Sequence, residues 1–179
     1  MEKKILVPLD GTKTGEAILP RIENLVLKSS PKMEADITLL KVISNMNFNN
    51  LTDDDRAQLP ISESDRQELV AEAQAYLDTV AKRLNSKGIK TNRLVTFGHA
   101  AEEIVKTANE TKTQLIAMAT RGRSGIGRWA MGSVTEKVIK MEGEIPVLAV
   151  LASGKEEQNP VITMGSLQSL VKHSPVLSD

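Results

Sequence analysis

Short runs of branched aliphatic residues alternate along this chain with stretches whose apolar side chains recur at helical spacing. Lys4–Leu9 (KILVPL) is apolar nearly throughout and ends at Asp10-Gly11, the pattern of a strand covered on both faces. From Thr14 to Lys28 the residues Ala17, Ile18, Ile22, Leu25 and Val26 fall on one helical stripe. Pro20 lies within that stripe and is expected to bend the helix. A second strand is expected at Ala35–Ile43. Ser44–Ile61 reads as a long loop with four Asn, and its Asp53-Asp54-Asp55 run as a solvated face. Ser64 followed by Gln67 makes a capping box for a helix carrying Leu69, Ala73, Leu77, Val80 and Leu84 to Lys87, with Gly88 as its stop.

The remaining elements follow in the same rhythm. Strands are expected at Ile89–Phe97, Gln114–Ala119 and Pro146–Leu151, and helices at Ala100–Asn109 and Gly132–Met141. The order β-α-β-α-β-α-β-α-β implies right-handed crossovers and a parallel sheet with helices on both faces. Ala152–Asp179 lies beyond the last strand. Its Ser, Gly, Pro and Gln content reads as a poorly ordered extension, with one weakly apolar patch at Leu167–Val171.

Composition narrows the function classes. Lys plus Arg number 23 and Asp plus Glu number 23, so there is no net basic field of the kind a nucleic-acid coat or membrane-surface binder needs. Aromatic residues are only 2%, which removes base-stacking platforms. The absence of Cys excludes thiolate metal sites and cysteine nucleophiles, and His99 and His173 are too few for a histidine metal centre. With no apolar stretch near ~20 residues and no signal-peptide pattern in MEKKILVPLD, a soluble cytoplasmic protein is expected.

Open α/β sheets bind ligands beyond the carboxyl ends of their strands. Asp10, the Lys41-Val42-Ile43 end and the Thr120–Met131 loop all fall at such ends. That loop and its exit hold Gly122, Gly125, Gly127 and Gly132, four of the eleven glycines within eleven residues. Glycines let backbone N–H groups crowd around a phosphate, and Gly132-Ser133 then opens a helix whose amides favour an anion. Ser133 and Thr135 add hydroxyls, while Arg121, Arg123 and Arg128 add charge. The bland alternative is a flexible connection with solvated arginines. Standard phosphate motifs fail: Arg128-Trp129 stand where a Walker loop needs Lys and Ser/Thr, and no GxGxxG follows the first strand. Asp10 either meets a ribose, adenine or Mg²⁺, or caps the turn after the first strand. His99 is expected at a helix N-terminus without a catalytic role, and Trp129 as a packing residue.

VPLDGT at 7–12, Leu39-Leu40-Lys41-Val42, PVLAV at 146–150 and above all MATRGRSGIGRWAMGSVTEKVIK at 118–140 resemble the universal stress protein family. The resemblance spans residues 3–151 apart from the 44–61 loop, and implies a single α/β domain at 1–151 that includes this loop, with 152–179 as a C-terminal extension. It implies a five-stranded parallel sheet of order 3-2-1-4-5, the adenine nucleotide alpha hydrolase-like arrangement. The ATP-binding branch of that family carries Gly, two residues, Gly, nine residues, then Gly with Ser or Thr. Gly122 and Gly132-Ser133 match, and Ala119 replaces the first glycine. By resemblance Pro8, Leu9, Asp10 and Val42 line an adenosine pocket. Met118, Ala119, Arg121 and Gly122 border the ribose and phosphates, and Gly132, Ser133, Val134 and Thr135 hold the phosphates, with Mg²⁺ at Asp10.

The family's habit implies a homodimer through Val147–Val150, an apolar edge strand that otherwise faces solvent. The expected function is that of an ATP-binding stress-response regulator acting through ligand-dependent conformation or partner choice. A dimeric adaptor that binds no nucleotide is the alternative, as is a slow ATPase or autophosphorylating protein, for which no general base is evident.

Overall fold

The computed structural model describes residues 2–29, 34–44, 62–121, 132–141, 144–152 and 161–164. Five parallel strands form the sheet: β1 (Lys3–Pro8), β2 (Ala35–Ile43), β3 (Thr91–Phe97), β4 (Leu115–Arg121) and β5 (Val147–Ala152). A sixth, β6 (Val161–Met164), lies antiparallel on β5, and the order across the sheet is β3-β2-β1-β4-β5-β6. The 3-2-1-4-5 arrangement of the parallel strands is the one expected. Among the described residues four α-helices accompany them: α1 (Leu19–Leu27), α2 (Glu63–Asn85), α3 (Ala100–Glu110) and α4 (Ser133–Met141).

Strand pleating divides the core in two. Successive side chains on β1 point to opposite faces, so Val7 joins Ile18, Leu19, Ile22, Leu39, Leu77 and Leu84 on the side of α1 and α2. Leu6 joins Leu40, Ile104, Ile116, Met118 and Val138 on the side of α3 and α4. Ile5, Leu6 and Val7 are therefore buried in succession, the signature of a strand with helices over both faces.

Two expected helix starts move. The first helix begins at Leu19, not Thr14, and Pro20 sits in its opening turn without bending it. A first-turn N–H has no intrahelical partner, so proline costs nothing there; Gly15–Ile18 before it form a 3₁₀ turn. The cap of α2 is Ser62, whose hydroxyl accepts the Asp65 N–H at 3.1 Å, two residues before the expected Ser64. Gln67 instead reaches Glu63 Oε1 at 3.3 Å. At the far end the Ile89 N–H donates to the Leu84 carbonyl at 3.1 Å around Gly88, whose φ of +79° suits glycine. Glu23 of α1, meeting Arg83 at 3.3 Å and Lys87 at 2.5 Å, clasps α1 to α2.

Two ends extend past expectation. β4 runs on through Thr120 and Arg121, which pair with Leu151 and Ala152. β6 places part of the 152–179 extension on the sheet, where the sequence suggested an unordered tail. The 45–61 part of the expected long loop and the Leu167–Val171 patch lie outside the described residues.

Candidate functional site

The carboxyl ends of β1, β2 and β4 open into a cleft of about 760 Å³, within the ~300–1,000 Å³ range of small-molecule sites. Its β1 side is built by a tight turn. Asp10 Oδ1 accepts the Thr12 N–H at 2.9 Å and the Thr12 hydroxyl at 2.7 Å, and Thr12 Oγ1 in turn accepts the Gly15 N–H at 3.0 Å. Gly11 between them has a φ of +86°, open to glycine at no steric cost. Of the readings open for Asp10, the geometry displays turn capping. Among the described residues no three His, Asp or Glu side chains gather as a metal cluster.

From β2 come Val42, packed on the second core, and Lys41 on the opposite face. The Lys41 ammonium donates to the Asp10 carbonyl and stands 6.0 Å from the centre of the Tyr76 ring. Burial holds its pKa below the ordinary lysine value, and the charges of Asp10 and Glu72 offset part of that shift. Tyr76 and Glu72 reach the cleft from α2, and the Tyr76 hydroxyl donates to Glu16 Oε1 at 3.3 Å. Burial first, and the Glu16 carboxylate second, push the Tyr76 phenol above its ordinary value.

The third wall joins β4 to α4. Thr120, 2% exposed, accepts the Gly132 N–H on its Oγ1 at 2.7 Å and so fastens the strand's end to the helix's beginning. The Glu136 N–H to the Gly132 carbonyl, 3.0 Å, starts α4 there. Ser133 is exposed at the rim, Val134 packs on the second core beside Val42, and Thr135 is buried. Met118 is buried in the second core, whereas Ala119 packs against the first.

Ten of the residues expected at the site line this one cleft: Pro8, Leu9, Asp10 and Val42; Met118 and Ala119; Gly132, Ser133, Val134 and Thr135. Arg121 ends β4, and its side chain lies outside the described part of the structure. Gly122 lies outside the described residues, as do Gly125, Gly127, Arg123, Arg128 and Trp129. His99 is the exposed N-cap residue of α3, next to the cleft-lining Ala100 but not itself a lining residue, and its side chain makes no capping bond. Lys41 and Thr120, which the sequence places at ligand-side strand ends without a role, and Tyr76, which it does not signal, also line the cleft. A lysine inside the apolar LLKVI strand was the available signal for the first of them.

The chain's single tyrosine makes the α2 side of the cleft testable. The native state holds the phenol protonated above ~10, where the unfolded chain releases that proton. There the unfolded state binds fewer protons, so stability from this group is intact below ~10 and falls as pH rises toward the raised native value. Phenolate absorbance should therefore appear at higher pH in the native than in the urea-unfolded chain. Tyr76→Phe should flatten the alkaline fall in stability. Identical titrations in the two states would contradict the burial and the Glu16 contact.

A doubly wound parallel sheet with a cleft at its central strand ends is the α/β architecture in which ligand sites occupy that position. The chain belongs to the universal stress protein family, which it matches over residues 1–150. It is 32% identical over 154 residues to universal stress protein MJ0531 of Methanocaldococcus jannaschii, covering 86% of this chain and 85% of that one. The solved structure of MJ0577 from the same organism superposes with a TM-score of 0.63 at 28% identity, covering 86% and 98%. A family protein from Arabidopsis thaliana, solved with AMP bound, has the same fold with a TM-score of 0.55 at 14% identity, covering 88% and 95%. No helix among the described residues is long and apolar enough to cross a membrane.

Proposed function

We propose that the chain binds an adenine nucleotide, with ATP as the expected form, and acts as a stress-response regulator through the bound state rather than through turnover. The observation that carries this reading is the cleft itself. One wall is apolar, from Val42, Met118, Ile104 and Val134, and suits a flat base. The other brings Gly132-Ser133 and the first amides of α4 to the rim, where a helix start favours phosphate. The AMP-bound relative of the same fold agrees in ligand class.

The residues present fit a nucleotide better than they fit a dedicated metal site. Asp10 Oδ1 already accepts two hydrogen bonds, so Mg²⁺ would take most of its shell from phosphate oxygens and water. Ala119 sits in β4 opposite Val150, where its methyl packs into the first core. That placement supports the view that the departure from the family's first glycine is compatible with binding.

The test is extraction of ligand from the purified protein, then titration of the stripped protein with AMP, ADP and ATP, with and without Mg²⁺. Adenine nucleotide in the extract, or a Kd near the micromolar range, is the expected result. An empty extract together with no binding up to about millimolar nucleotide would leave the adaptor reading in its place. Steady release of phosphate by the loaded protein would instead favour the enzymatic alternative.

A further inference from the structure

The outer edge of β5 carries an inference independent of the cleft. One side of β5 pairs with β4, and in a five-stranded sheet its other side would present a row of unpaired N–H and C=O groups. Val147, Ala149 and Val150 are buried, so this edge borders the core. An edge of that kind is a ready template for another strand.

Here the chain supplies its own. β6 covers Val147–Val150 in the register Val147↔Met164, Leu148↔Thr163, Ala149↔Ile162 and Val150↔Val161. Three features set β6 apart from the rest of the sheet. It lies beyond residue 150, where the family match ends. It is four residues long, the shortest strand of the sheet. It is also antiparallel to β5, whereas all the other pairings are parallel.

The direction decides the occupant. A two-fold axis at the sheet edge sets β5 of one copy antiparallel to β5 of the next, as an isologous contact requires. β6 runs in the direction in which that second β5 would run, and over the same four residues. We propose that β6 is an internal stand-in for a partner strand, and that it competes with the β5 strand of a second copy of this chain for one edge. With β6 seated the chain is closed and monomeric. With β6 released, two copies pair β5 to β5 through the Val147–Val150 segment. The short length of β6 suits a cover that can be displaced, because few pairings hold it.

The full-length chain and its Ile162→Pro/Thr163→Pro variant separate the outcomes. N–H groups of successive strand residues face opposite sides, so one of the two prolines removes a donor to β5 whichever residue faces it. Helical content by circular dichroism reports that the domain remains folded. Light scattering across a dilution series should show wild type as a monomer and the variant self-associating at least about tenfold more tightly. The same self-association in both chains would overturn the proposal, as would a wild-type dimer that the prolines dissociate. Amide hydrogen exchange on dilute wild type decides the matter even if the variant does not fold. The amides of Val147–Val150 that face away from β4 should be protected in the monomer, and rapid exchange there would remove the basis for β6 as a cover.

Discussion

Leu40→Ala should lower the unfolding free energy by about 2–5 kcal/mol, the largest loss expected from a single truncation at the cleft. Leu40 is fully buried in β2, between Leu6 of β1 and the α3 side chains, and it also forms part of the cleft floor. Removing its outer carbons loses their transfer free energy and leaves a cavity that the strands, held by parallel ladders on both sides, have little freedom to fill. Against the ~5–15 kcal/mol total of an ordinary domain, that is a large fraction. Ile104→Val trims one methylene from the same wall and should cost only about 0.5–1.5 kcal/mol. Urea titrations should show a lower midpoint with an unchanged slope for both, since neither alters the surface exposed on unfolding. A loss below that of Ile104→Val would mean that the second core collapses around the gap.

The next largest effect is expected at a residue with no side chain. Gly15→Ala should cost about 1–2 kcal/mol, although alanine normally favours helical turns over glycine. A Cβ at residue 15 would collide with Asp10 Oδ1 and lie 3.1 Å from its Cγ, so the carboxylate has to leave its place. Leaving it breaks the bonds from the Thr12 N–H and hydroxyl that close the β1 turn. The cost should therefore depend on Asp10 being present. In an Asp10→Ala background the same Gly15→Ala change should be neutral or stabilising, and a double-mutant cycle measures the difference directly. Independent, additive effects would mean that the carboxylate is not what fills the space beside Gly15.

How much of this molecule is readable beforehand depends on the range of the interactions involved. Runs such as KILVPL and QLIAMA announce buried strands because nearly every residue is apolar, and alternation with helices then fixes parallel pairing and crossover hand. Helix starts are less legible because Ser62 and Ser64 both offer a hydroxyl, and tertiary packing decides which one begins the helix. Thr120 and Arg121 look like loop residues by chemistry. They become strand because β5 extends alongside them.

β6 is the extreme case. Its VITM run is short and stands in a polar tail, and its only described partner strand is β5, eleven or more residues earlier in the chain. The cleft divides in the same way. Asp10 and Val42 follow from the rule that ligands sit at strand ends, Pro8 and Leu9 only from the family resemblance, and Gly132-Ser133 from the glycine cluster that opens a helix. Tyr76 and Glu72 share the helical spacing of Leu69 and Ala73. Which part of a 23-residue helix overlies β2, however, is set by packing that local pattern does not express.

The Thr120–Gly132 hydrogen bond bears on how this site can diversify. It joins the last turn of the strand ladder to the first turn of α4 across residues 121–131. The two ends that flank this segment, Thr120 and Gly132, are therefore held together at the cleft. Closure entropy rises by only about 0.6 kcal/mol for each doubling of a loop's length, so residues can be added or removed there without shifting the strand or the helix. The frame is fixed independently of that segment: a change in the spacing from Gly122 to Gly132 would alter what the site binds while leaving unchanged how the chain folds.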